Sequence, residues 1–219
     1  MKKYLILTLL FVMPICAYLF FATGVNQFKR LPIITEGVND LPKGKDLLNK
    51  NPTLNGKITV LGFPGAHLYR DRGDAFNLNQ KIYKRYLDFE DFQLVMVLPY
   101  GSEEAAQKVV DDLSPISDMS NWNYVFLKPE EIQEFYNSLG LVGKLDADLA
   151  SANVYIIDKD RNLRGRKGNN KVGAYEYKEG YSTISAAELN NDMMDDVKVV
   201  LAEYRLALKK YKKLNSKEQ

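Results

Sequence analysis

Residues 57–74 read KITVLGFPGAHLYRDRGD. The stretch opens as an apolar run, KITVLGF, with the length and β-branched content of a strand buried on both faces. Pro64 and Gly65 break it, a short polar loop follows, and then comes a segment with an apolar stripe at helical spacing. In a sheet protein of this pattern, the loop after the first long strand is where chemistry normally sits. Here the loop holds His67, Tyr69, Arg70, Asp71 and Arg72, and no cysteine. These five side chains form the candidate binding set.

Toward the C-terminus the alternation of strand and helix continues. Asp74 is placed to cap a helix running to about Leu87, with Leu78, Ile82, Tyr83, Tyr86 and Leu87 on one face. FQLVMVL (92–98) is a second buried strand, stopped by Pro99, Tyr100 and Gly101. Ser102 caps a second helix, and Glu103 and Glu104 sit in its first turn, where the macrodipole favours carboxylates. After a loop from Ser114 to Asn121, NYVFLK (123–128) is a third strand. Pro129 then opens a helix that Gly140 closes, with Ile132, Phe135, Tyr136 and Leu139 along one side. ANVYIID (152–158) is a fourth strand, and Asp158 to Asn162 reads as a hairpin turn returning through Leu163 to Gly165. Gly168 to Thr183 is a polar insertion. Its Tyr175, Tyr177 and Tyr181 are the candidate partner surface, because aromatics anchor interfaces; packing over the sheet edge is the other reading. Ser185 with Glu188 makes a capping box for the last helix, which runs to about Lys213 on Leu189, Met193, Val197, Val200, Leu201, Tyr204 and Leu208.

The order β-α-β-α-β-α-β-β-α implies parallel pairing through the early crossovers and an antiparallel edge from the late hairpin. The fold class is therefore α/β: a thioredoxin-like mixed sheet with helices on both faces, spanning residues 56–213 and followed by a polar tail at 214–219. Ahead of it, Asn26 to Asn55 carries three prolines and no sustained period, which reads as an extended tether with one short hairpin. Residues 1–25 read as one N-terminal transmembrane helix. Tyr4 to Val25 is an uncharged run of about twenty residues, the length a bilayer requires. Lys2 and Lys3 place its start in the cytoplasm and the domain outside, in a periplasm-like space. A cleaved signal peptide is the rival reading.

The chain has 219 residues, a formal charge of +2, one cysteine and one histidine. The charge balance argues against a dedicated nucleic-acid binder. Cys16 lies in the apolar run and has no partner for an internal disulfide. Four-ligand zinc sites of Cys and His are excluded by count. Met96 and Met193 fall on a strand and on a helix stripe, which is core packing before it is a thioether metal site. Asp158, Asp160 and Asn162 imitate the start of a calcium loop but lack its glycine and distal glutamate, so a turn is the reading. His67 is a loop histidine unless partners gather around it. The charges from Arg70 to Asp74 are a solvated loop or an anion or partner site.

GKITVLGFPGAH (56–67) and NVYIIDKDRNLRGR (153–166) resemble the two conserved blocks of Sco/SenC-type copper chaperones. These are membrane-anchored thioredoxin-like domains that help to mature the copper centre of cytochrome c oxidase. The resemblance covers Leu54 to Leu208. It implies a Cys-x-x-x-Cys motif after the aromatic Phe63 and a histidine ahead of the later strand. Laid on those positions, this chain has Leu68 and Arg72 for the cysteines and Ala150 for the histidine. Copper(I) requires soft ligands, and thiol–disulfide exchange requires an attacking thiolate and a partner. The expectation is thus a non-enzymatic, membrane-anchored domain without metal or cofactor. It would serve respiratory cytochrome oxidase assembly through contacts with the oxidase or with Sco-type assembly proteins. The alternative is an envelope module binding a small molecule or peptide in the old active-site cleft.

Overall fold

The computed structural model describes residues 3, 10–16, 18, 30–169 and 173–215, with side chains as far as residue 205. The segment read as a membrane anchor falls largely outside the described residues. Among those described, no helix is long and apolar enough to cross a membrane.

The centre of the molecule is three strands. β3 (Ile58–Pro64), β4 (Phe92–Pro99) and β5 (Trp122–Leu127) lie parallel in that order, and β6 (Ala150–Ile157) runs antiparallel against β3. The linking helices follow the sequence pattern. α1 begins at Gly73–Leu78, passes through a π-helical turn at Asn79–Tyr83 and closes at Lys84–Tyr86. α2 is Glu103–Leu113 and α3 is Pro129–Ser138. Gly140, at φ +63°, ends the α3 segment in the left-handed conformation that glycine tolerates. The Asp158 turn folds as expected: Asp158 Oδ1 accepts the backbone N–H groups of Asp160 and Asn162, and β7 (Leu163–Arg164) returns along β6. The thioredoxin-like mixed sheet with helices on both faces is thus present.

Because successive strand residues face opposite ways, each strand contributes to two cores. One face carries Val60, Leu94, Met96, Trp122, Tyr124 and Val154 under α1, α2 and the last helix, α4. α4 is assembled from Ala186–Glu188, a π turn at Leu189–Met193, and Met194–Asn215. The other face carries Leu61, Phe63, Val95, Val97, Tyr155 and Ile157 under α3. Met96 and Met193 are buried core residues.

Three local expectations are corrected. Asp74 is not the cap of α1; it lies inside the first turn, with Arg72 at the cap position. Ser102 occupies its cap position without a side-chain cap bond, and Glu103 instead accepts the Gly101 N–H at 2.8 Å. The described part of the expected tether, residues 30–55, packs on the domain. β1 (Ile33–Thr35) pairs with β7, and β2 (Lys45–Asp46) pairs with β5, each antiparallel. Leu31, Val38 and Leu54 are buried. These strands hold through backbone pairing along the sheet edges. Two or three residues are too few to show a period, which is why the sequence reads as linker.

The insertion forms a hairpin of β8 (Arg166–Asn169) and β9 (Tyr175–Lys178), followed by β10 (Tyr181–Ser182) against β6. Tyr175 and Tyr177 are exposed, but Tyr181 is fully buried, so it offers no surface to a partner. Its hydroxyl donates to Asp196 Oδ2 at 2.6 Å, and Arg166 Nε donates to the same oxygen at 2.6 Å. Period-two alternation puts Tyr175 and Tyr177 on one face of β9, whereas Tyr181 belongs to β10 and stands opposite Val154 of β6.

Candidate functional site: a closed-over cleft at the β3–α1 loop

The loop after β3 is fixed by its backbone. Pro64 faces Ala150 across the β3–β6 pairing. Gly65 follows at φ +69°; a Cβ there would sit 2.6 Å from the Ala150 Cβ and from the Asp148 carbonyl oxygen. The Ala66 N–H donates to that same carbonyl at 3.1 Å. Glycine is therefore required twice, for its conformation and for the close approach of the loop to residues 148–150.

This stitching encloses a cavity of about 310 Å³ between the loop, the start of α1, β6 and the Thr183–Ile184 segment. Its apolar lining includes Leu68, Leu78, Met96 and Val154, and its polar lining is Asp71, Asp74, Asp146, Ser151 and Thr183. Trp122 and Tyr124 line the deep end, each 1% exposed. Their rings stack at 6.4 Å. The Trp122 Nε1 and Tyr124 hydroxyl have no hydrogen-bond partner. Buried polar atoms are nearly always satisfied, so two orphans in one cavity wall are informative. Burial drives the Tyr124 phenol far above its ordinary pKa, so it is a neutral donor.

The five loop residues are distributed unevenly about this cavity. Asp71 lines it. Arg70 is turned to solvent and grips Asp71 through two hydrogen bonds of 3.0 and 2.9 Å, which hold the Asp71 carboxyl below its usual pKa. Arg72 lies 4.6 Å over the Tyr69 ring and 3.8 Å from Asp112. His67 Nε2 is 3.4 Å from Asp148 Oδ2, with both side chains about half exposed. Such surface pairs contribute little. His67, Tyr69, Arg70 and Arg72 thus sit beside the cavity and not in its wall.

In sequence Asp74 reads as a cap, and Trp122, Tyr124 and Thr183 stand outside the candidate set. A usable signal did exist: Trp122-x-Tyr124, two side chains with polar tips on one face of a fully buried strand. Asp74 accepts a hydrogen bond from Thr183 Oγ1 at 2.8 Å. Among the described residues, no basic side chain lies within 4.0 Å of it. Its pKa is raised, chiefly because burial strips water from the charge.

Leu68 and Ala150, which stand where the resemblance implies copper ligands, both line the cavity. Leu68 is buried hydrocarbon; neither it nor Ala150 can ligate, and Arg72 is a cation. The residues present do not fit copper(I), and the cavity offers no thiol for exchange.

The fold is that of thioredoxin-like proteins, and its structural neighbours include members of the Sco family. BsSco, described as a member of the Sco family of cytochrome c oxidase assembly proteins and as carrying a disulfide switch, is similar with a TM-score of 0.53 and 14% identity, covering 78% of this chain and 96% of that one. ScoI of Bradyrhizobium japonicum, solved with copper bound, gives a TM-score of 0.45 at 15% identity over 74% of this chain and 98% of that one. A thiol:disulfide interchange protein from Bacteroides sp. gives 0.43 at 20% identity over 61% and 79%. At such identities the likeness is one of fold. No family model matches the sequence, and no curated protein matches it.

Proposed function

We propose that this chain is a non-enzymatic binding domain on a Sco-type thioredoxin fold. It is held by its N-terminal apolar segment at the cytoplasmic membrane and faces the outside. One observation carries the reading: at the site where the fold places thiol or copper chemistry, Leu68 and Ala150 line a formed cavity and no thiol is present. A formed cavity with orphan donors and no thiol supports a binding role.

The proposed setting is respiratory oxidase assembly, through protein contacts. It is supported by the likeness to BsSco along nearly all of that protein's length. The test is co-purification of the full-length protein from its native membrane in mild detergent, with the bound proteins identified. Oxidase subunits or a cysteine-bearing Sco-type protein are the expected recovery. A well-folded preparation that captures nothing specific overturns the assembly role. Stoichiometric tight copper(I) binding would overturn the metal-free reading.

The second reading is a small-molecule binding module working through the same cleft. The volume of the cavity is within the range of ligand pockets, and the unpartnered Trp122 and Tyr124 atoms in its wall favour this reading.

A further inference from the structure

The geometry points to a small organic cation, an amine carried on an apolar aromatic or branched body, as the ligand of this cavity. The inference rests on the reading of the cleft as a binding site and deepens it.

The lining divides by depth. At the buried end are Trp122, Tyr124, Met96 and Leu78, all under 9% exposed, offering apolar surface and two unpaired donors. Toward the rim lie Asp71 and Asp146, with Ala152 and Ile184 beside them; Ile184 is 69% exposed. Asp74 is half-buried between the two zones.

No lysine, arginine or histidine belongs to the lining, while three aspartates do. Asp71 is neutralised by Arg70 from outside, and Asp146 accepts the N–H groups of Asp148 and Ala150. Among the described residues, the Asp74 carboxylate has the Thr183 hydroxyl as its one hydrogen-bond partner. That hydroxyl is also 2.8 Å from the Ala152 carbonyl oxygen. One proton cannot serve two acceptors, so ionised Asp74 and Ala152 compete for it. An ammonium group beside Asp74 supplies both the missing donor and the missing charge. An anionic ligand would meet the unneutralised Asp74 carboxylate and no cation among the described lining residues, and a neutral ligand would leave Asp74 uncompensated. The body of the ligand then covers Met96 and Leu78, and an aromatic ring on it turns its π face, a weak acceptor, to the unpaired Trp122 and Tyr124 donors.

The chain contains one tryptophan, and it lines the cavity. Trp122 emission in the full-length protein therefore reports occupancy directly. The probes are phenylbutylamine, the neutral phenylbutanol of nearly the same shape, and phenylvalerate as the anion. The expected result is a saturable emission change with the amine, and affinity weaker by roughly tenfold or more for the alcohol and the acid. Asp74→Asn should erase the preference for the amine. Ala152→Phe, at an exposed rim position where only the backbone carbonyl holds Thr183, should block all probes while leaving the unfolding transition in place. Equal binding of alcohol and amine, or an undiminished preference in Asp74→Asn, overturns the cation and leaves the cleft as a binding site. No saturable response to any probe overturns both. If Asp74→Asn fails to fold, the comparison of the three probes with and without Ala152→Phe decides.

Discussion

Thr183 Oγ1 lies 2.8 Å from Asp74 Oδ2, joining the segment after β10 to the first turn of α1 across 109 residues of sequence. The contact closes one side of the cavity, and it leaves the carboxylate with a hydroxyl where a cation would neutralise it. Burial raises the Asp74 pKa, the Thr183 hydrogen bond opposes the rise, and the nearby Asp71 charge adds to it. The folded chain therefore keeps the Asp74 proton to a higher pH than the unfolded chain does. Between the two values the folded state holds more protons, so stability falls as pH rises through that window. Asp74→Asn is expected to be more stable than the parent at pH 7. The difference should close as pH drops below the unfolded carboxylate value of about 3.9. Thermal unfolding across pH checks this; a parent more stable than Asp74→Asn at pH 7 refutes it.

Gly65→Ala is expected to cost about 1–3 kcal/mol, combining a left-handed residue with a steric clash. The clash is specific: the new methyl carbon would meet Ala150 Cβ and the Asp148 carbonyl oxygen, each at 2.6 Å. Urea unfolding gives the magnitude. A change within experimental error would mean that the loop does not depend on this close approach.

Arg72→Ala should leave both stability and probe binding nearly as they are, within about 0.5 kcal/mol, whereas Arg70→Ala frees the Asp71 carboxylate in the cavity wall and should tighten the amine modestly at little cost in stability. Arg70 reaches Asp71 from the solvent side, and Arg72 is engaged with Tyr69 and Asp112. Titration of Trp122 emission in each variant is the check, and abolished binding in either would place the ligand outside the cavity.

The four long strands and the helices from residue 57 onward were legible because each is long enough to display its period, whereas the short β8, β9 and β10 of the insertion were not. β1 and β2 were not legible: strands of three and two residues derive their stability from partners far along the chain, Ile33 opposite Arg164 and Lys45 opposite Phe126. The site was half legible. The loop after β3 could be named from the sequence, and Asp71 does line the cavity. Trp122 and Tyr124 reach it from β5, and Thr183 from the segment after β10. No local pattern announces that juxtaposition, since it exists only once the sheet has brought β3, β5 and β6 together.

Arg164 ties the N-terminal edge to the domain. Its guanidinium, nearly buried, donates to the Leu31 carbonyl at 2.9 Å, to Asp158 Oδ2 at 2.9 Å and to Glu203 Oε2 at 2.8 Å. Asp158 is only 1% exposed. Arg164→Met removes the cation that, among the described residues, answers the buried Asp158 charge, and removal of one partner from such a pair costs about 3–5 kcal/mol. A loss below about 1 kcal/mol in chemical denaturation would show that water or rearrangement satisfies Asp158 instead.

The three tyrosines of the insertion separate stability from partner contact. Tyr181 is fully buried and its hydroxyl binds Asp196, which in turn holds Arg166. Tyr181→Ala should therefore destabilise by about 3–5 kcal/mol as an aromatic core truncation. Tyr181→Phe loses only the hydrogen bond, about 1 kcal/mol. Tyr175 and Tyr177 are 68% and 41% exposed, and the Tyr177 hydroxyl makes only a solvent-side bond to Glu179 at 3.1 Å. The double change Tyr175→Ala, Tyr177→Ala should leave the unfolding free energy within about 0.5 kcal/mol of the parent. Loss of a co-purifying protein from that variant would then be loss of contact and not of fold. If capture persists in the double variant, the partner binds elsewhere on the domain and the hairpin tyrosines are not its anchor.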